Sequence, residues 1–101
     1  MAAVRILVDT DIFIDYFNTG HHAGVLDDRQ ATIYYSVVTR KELLSKLGLK
    51  ASERQAIVDS LRRFRRIPLI AATALDKRLP LMTRNWRHFR RVPGLTLYSG
   101  R

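Results

Sequence analysis

The run Val4-Arg5-Ile6-Leu7-Val8-Asp9 constrains the fold more than any other stretch of this chain. Four aliphatic residues around one arginine predict a short, mostly buried strand. The aspartate that ends it leads directly into Thr10-Asp11-Ile12-Phe13-Ile14-Asp15. A short side-chain oxygen at Thr10 or Asp11 can cap the next helix by accepting from its free N–H groups. A carboxylate at the C-terminal end of such a strand stands where open α/β sheets bind their ligands. Three aspartates thus gather in a chain that carries 18 Lys and Arg against 9 Asp and Glu. Acids clustered in so basic a chain point to a divalent metal.

The rest of the chain continues the strand–helix alternation. Ile12, Phe13, Tyr16 and Phe17 have the spacing of one apolar helix face, and Asn18-Thr19-Gly20 stops it. Residues 22–29 form a brief second helix. Ala31-Thr32-Ile33-Tyr34-Tyr35-Ser36 is β-branched and aromatic, and reads as a strand. Thr39 is placed to cap a helix carrying Leu43, Leu44 and Leu47 that ends at Gly48. Ser52 is placed to cap another, with Ile57, Leu61 and Phe64 inward and Arg62, Arg63, Arg65 and Arg66 outward. Pro68 then opens a small-residue helical segment, Leu69-Ile70-Ala71-Ala72-Thr73-Ala74-Leu75. Residues 80–83 read as a strand, 85–89 as a turn or short helix, and 95–98 as a last strand. This order predicts one α/β domain over residues 1–101, three-layered, with a mainly parallel sheet flanked by helices.

Composition narrows the partners. A chain of 101 residues supports one core. It contains no cysteine, which excludes disulfides and thiolate–metal sites and is compatible with a reducing compartment. No apolar run approaches the ~20 residues needed to cross a bilayer, and no signal-peptide pattern opens the chain. A cytoplasmic protein without membrane contact is expected. The net charge of +9 favours a polyanion or an acidic protein. Arg62 and Arg65 belong to one basic cluster; Arg84 and Arg87 belong to another, with His88, Arg90 and Arg91. Each arginine is equally at home on a solvated face; the two clusters together suggest a basic binding surface.

Magnesium and manganese take hard oxygen ligands and keep several waters, so a few converging carboxylates suffice. Asp9 meets this at its strand end. Glu42 lies one turn into the helix after the second strand, at the same edge if the strands are parallel. Asn85 follows the 80–83 strand and reaches that edge too. Asp11 is the next nearest acid, although a capping role is the commoner use of an aspartate there.

Three ordered motifs then resemble the PIN domain, and most closely its VapC-like ribonuclease toxins. They are Val8-Asp9-Thr10-Asp11-Ile12-Phe13-Ile14-Asp15, Ser36-Val37-Val38-Thr39-Arg40-Lys41-Glu42-Leu43, and the distal pair formed by 69–75 with Leu79-Pro80-Leu81-Met82-Thr83-Arg84-Asn85 and His88-Phe89. The resemblance covers nearly the whole chain. It implies Mg2+- or Mn2+-dependent cleavage of RNA, a homodimer, and inhibition by a small antitoxin, for which the basic surface implies an acidic partner. It makes Asp9 the first metal carboxylate and Glu42 the second. It puts Thr83 and Asn85 in the distal motif that shapes the site, and Thr10 where a small hydroxyl stands beside the metal.

The chain departs from the family pattern at one place. The family carries a metal-binding aspartate just before the small-residue helix, whereas this chain reads Arg66-Ile67-Pro68. A deletion between about Arg66 and Leu69 explains both the short chain and the missing acid. Asp59, mid-helix, and Asp76, beyond the distal helix, do not replace it. A third carboxylate fewer weakens the metal and the positioning of water or phosphate, so activity is expected to be reduced or lost. The alternatives are a non-catalytic module that binds RNA or an antitoxin, and a HAD-like phosphatase suggested by Asp9-Thr10-Asp11. Phe13 stands where that phosphatase motif carries Thr or Val, and no paired acids follow late in the chain.

Overall fold

A computed structural model describes residues 4–46, 48–67 and 78–98. Its elements are β1 (Val4–Val8), α1 (Thr10–Thr19), α2 (Ala23–Leu26), β2 (Ala31–Ser36), α3 (Val37–Lys46), α4 (Ala51–Leu61), β3 (Arg65–Ile67), β4 (Leu81–Met82) and α5 (Trp86–Phe89). Among the described residues the strands form one sheet in the order β3-β2-β1-β4. Every pairing is parallel, with Ile6 opposite Ile33, Leu7 opposite Leu81 and Ser36 opposite Ile67. The expected α/β architecture, a parallel sheet flanked by helices, is the one observed.

Val4 and Arg5 are exposed, and the apolar end of β1, Ile6-Leu7-Val8, is buried on both faces, as central parallel strands require. Ile6, Leu7 and Val8 are all essentially inaccessible. Because successive side chains alternate, Ile6 and Val8 join Ile33, Tyr35 and Met82 beneath α1 and α4, where Phe13, Ile57 and Leu61 complete the larger core. Leu7 points the other way, to Ile67, Leu79 and Leu81. Phe13 is the hub of the larger core, fully buried and in ring contact with Phe17, Tyr35 and Phe64. On the surface, Tyr16 donates to Asp27 at 2.5 Å and accepts from Arg63 at 3.0 Å, tying together α1, α2 and the exit of α4.

Several local expectations change. Asp9, rather than Thr10 or Asp11, caps α1: its Oδ1 accepts from the Thr10 N–H at 2.8 Å. Helix α3 begins directly at the end of β2, and Ser36 Oγ accepts from the Thr39 N–H at 3.1 Å, so Ser36 rather than Thr39 serves as its cap. Helix α4 begins at Ala51 with Lys50 in the cap position, and Glu53 accepts from the Lys50 N–H at 3.0 Å; Ser52 is not the cap. The arginine-rich segment is not one helix. Helix α4 ends at Leu61, and Arg65 and Arg66 lie exposed on strand β3, which pairs with β2 through backbone groups that the residue pattern does not reveal. The expected last strand over 95–98 shrinks to one bridge, Leu97 to Leu81, held by two backbone bonds of 2.8 Å. The small-residue helix over 69–75 and Asp76 lie outside the described residues.

Candidate functional site

The parallel sheet brings the C-terminal ends of β1, β2 and β4 to one edge, and β1 lies between the other two. That order places Asp9 at the middle of the edge, the start of α3 on one side and Thr83 on the other. The site is built from hydroxyl bridges between these elements. The Thr83 hydroxyl donates to Asp9 Oδ2 at 2.9 Å and lies 3.4 Å from Asp11 Oδ2. It also accepts from the Asn85 N–H at 3.0 Å, which locks the loop after β4 onto the carboxylate. On the other side the Thr10 hydroxyl lies 2.9 Å from both Thr39 Oγ1 and Glu42 Oε1. Thr39 is fully buried and is in turn 3.2 Å from Ser36 Oγ.

Electrostatics single out Asp9. Burial raises its carboxyl above the ordinary value of 3.8, and the nearby charges of Asp11 and Glu42 push the same way. The bonds from Thr10 and Thr83 oppose the rise without cancelling it. Asp11 belongs to the same neighbourhood: its Oδ2 accepts from the Arg84 N–H at 3.0 Å, and its Oδ1 is buried without a hydrogen-bond partner among the described residues. Arg84 Nε stands 3.9 Å from Asp11 and 3.4 Å from Asp15, and Asp15 also meets His22 at 3.3 Å.

Asp9, Thr10, Asp11, Glu42 and Thr83 therefore come together. Asn85 reaches the group through its backbone N–H and is itself exposed. Arg84 sits at the site, and Arg87 follows on α5 with its guanidinium carbon 5.2 Å from the Trp86 ring centroid. Arg62 and Arg65 belong to the β3 side of the sheet, at the opposite edge from β4. Arg62 lies 3.7 Å from Asp59. Sequence reasoning missed Ser36 and Thr39 as members of the bridge. Their signal was the hydroxyl pattern Ser36-x-x-Thr39 immediately after a strand.

The donor set decides what could be held. Asp9 and Glu42 offer hard carboxylate oxygens, one held by the Thr10 N–H and the other by the Thr10 hydroxyl, which suits a Mg2+- or Mn2+-type ion that keeps most of its waters. Among the described residues there is no group of three His, Cys, Asp or Glu side chains arranged to hold a metal. Asp11 stands beside Asp9 through the shared Thr83 hydroxyl, and its charge, like that of Glu42, raises the Asp9 pKa. Asp9 and Glu42 are the two carboxylates that would hold such an ion.

No family model matches the chain, and no curated protein matches it. Among solved structures, a chain of the crystal structure of VapBC2 from Rickettsia felis bound to a DNA fragment from their promoter is similar in fold. The TM-score is 0.73 at 19% sequence identity, over 94% of this chain and 98% of that chain. This likeness shows a shared fold.

Proposed function

We propose that the chain is a PIN-type toxin module whose Asp9–Glu42 edge binds Mg2+ or Mn2+ and cleaves RNA slowly. The observation that supports it is Asp9 itself: half-buried at the end of the central strand, with its pKa raised by burial and by two further carboxylates. A fold that desolvates a carboxylate and then crowds it with like charge carries an unfavourable term that a cation would remove. Asp9 and Glu42 are the residues that would hold the ion, with Thr10 fixing their spacing and Thr83 orienting Asp9. A divalent ion there would supply charge stabilisation to a phosphodiester and a more acidic water. Arg84 and Arg87 stand beside that edge to meet RNA phosphates. An antitoxin partner accords with the VapBC2 complex that shares the fold. A homodimer, which the resemblance to VapC-like toxins implies, completes the reading.

The test is cleavage of single-stranded RNA with increasing Mn2+ or Mg2+, compared between the wild type and Asp9→Ala. Cleavage that needs the metal and disappears in Asp9→Ala is expected, and a simple phosphomonoester should be left intact. Equal cleavage by both proteins would refute the reading. A second reading, a module that binds RNA or an antitoxin without cutting, is favoured by Arg84, whose ion pairs already supply positive charge to Asp11 and Asp15. Tight, salt-sensitive RNA binding with no metal-dependent turnover would support it.

A further inference from the structure

Two residues separate Thr83 from α5, a single turn that buries none of its residues. Its first residue, Trp86, is 44% exposed, so this large ring contributes little to the core. Beside it lies an open hollow of about 330 Å3, lined by Leu81, Thr83, Trp86, Leu97 and Tyr98. Thr83 is a wall of this hollow and also the donor to Asp9, so the hollow adjoins the carboxylate edge. The guanidinium carbons of Arg87 and Arg90 each stand 5.2 Å from the Trp86 ring centroid, within cation–π range.

We propose that this hollow receives an unpaired base of an RNA strand whose backbone lies along the Asp9 edge, an inference that rests on the ribonuclease reading. An exposed indole that walls an apolar hollow offers a stacking surface on the hollow side, and the guanidinium groups of Arg87 and Arg90 over the same ring offer charge to the flanking phosphates. That combination is how single-stranded nucleic acid is held without base-edge readout. A paired base has both faces covered by its neighbours, so the hollow selects for single-stranded RNA.

Trp86 is the one tryptophan in the chain, so tryptophan emission reports on the hollow directly. The experiment titrates a short single-stranded oligoribonucleotide into the full chain in EDTA at low salt. Saturable quenching is expected. An abasic strand of the same length should bind through its phosphates without that quenching. Trp86→Ala should weaken RNA binding, read by anisotropy of a labelled strand, by about tenfold or more, and Trp86→Phe should keep most of the affinity. RNA binding with unchanged emission, Trp86→Ala binding as tightly as the wild type, or no RNA binding at low salt would each overturn the proposal. So would a shift of emission by a poly-glutamate peptide but by no RNA, which would make the face a protein-docking surface. Asp9→Asn separates the two claims. It should abolish cleavage and leave the quenching intact; cleavage that survives it refutes the ribonuclease reading, while the quenching judges the hollow.

Discussion

Asp9 holds three roles at once: it caps α1, it accepts from Thr83, and it is the carboxylate that burial and like charge hold above the ordinary range. A raised pKa means that the folded state disfavours the ionised form. The stability that Asp9 contributes is therefore fully present below its unfolded value and is lost as pH rises through its folded one. In EDTA at neutral pH, Asp9→Asn should be at least as stable as the wild type, since the amide oxygen can still cap the helix. The difference should shrink as pH falls towards 4, which thermal melts across pH would show. Added Mn2+ should reverse the order, stabilising the wild type by about 1.4 kcal/mol at ten times Kd and leaving the variant unmoved. Thr83→Val keeps the side-chain shape but removes the hydroxyl that bridges Asp9 and the Asn85 N–H. It should cost about 1–2 kcal/mol in urea unfolding.

Among the elements, β1 was legible because four aliphatic residues flank a single arginine and the aspartate that follows changes the chemistry abruptly. The apolar spacing on α1 was equally plain, and Phe13 shows why it mattered. Its ring fills the space between α1, β2 and the turn after α4, so Phe13→Ala should cost about 3–5 kcal/mol, read by denaturant unfolding. That is a large share of the roughly 5–15 kcal/mol that holds a domain together. Strand β3 was not legible. Arg65 and Arg66 are exposed, and only Ile67 is buried, so the strand rests on hydrogen bonds to β2 that leave no mark in residue type. The caps shifted for a similar reason. Ser36 ends β2 and caps α3 in the same residue, and Asp9 caps α1 directly after β1, so strand and helix follow each other with no separate turn to mark the cap.

Over the whole molecule, the sheet order explains why acids far apart in sequence meet. Asp9, Glu42 and Thr83 follow β1, β2 and β4, and the parallel arrangement delivers all three to one edge. Their meeting could be anticipated from strand–helix alternation, whereas the hydroxyl bridges that space them could not. The same order separates the two basic clusters, since β3 and β4 bound opposite edges. Replacing Arg84 and Arg87 with glutamine should lower RNA affinity and reduce the slope of log K against log salt by about 1.4, the value for two single-strand phosphate contacts. A salt series of binding isotherms measures this. Among the described residues no helix is long and apolar enough to cross a membrane.

The proposed function stands or falls on whether Asp9 and Glu42 hold a divalent metal. Direct Mn2+ binding, followed by the loss of the free-ion electron paramagnetic resonance signal, tests it without any substrate. One Mn2+ per chain is expected, with a Kd on the order of 0.1–1 mM, as for a centre with few charged ligands, and its loss in Asp9→Asn. No binding at millimolar Mn2+, or equal binding by the wild type and Asp9→Asn, would contradict it.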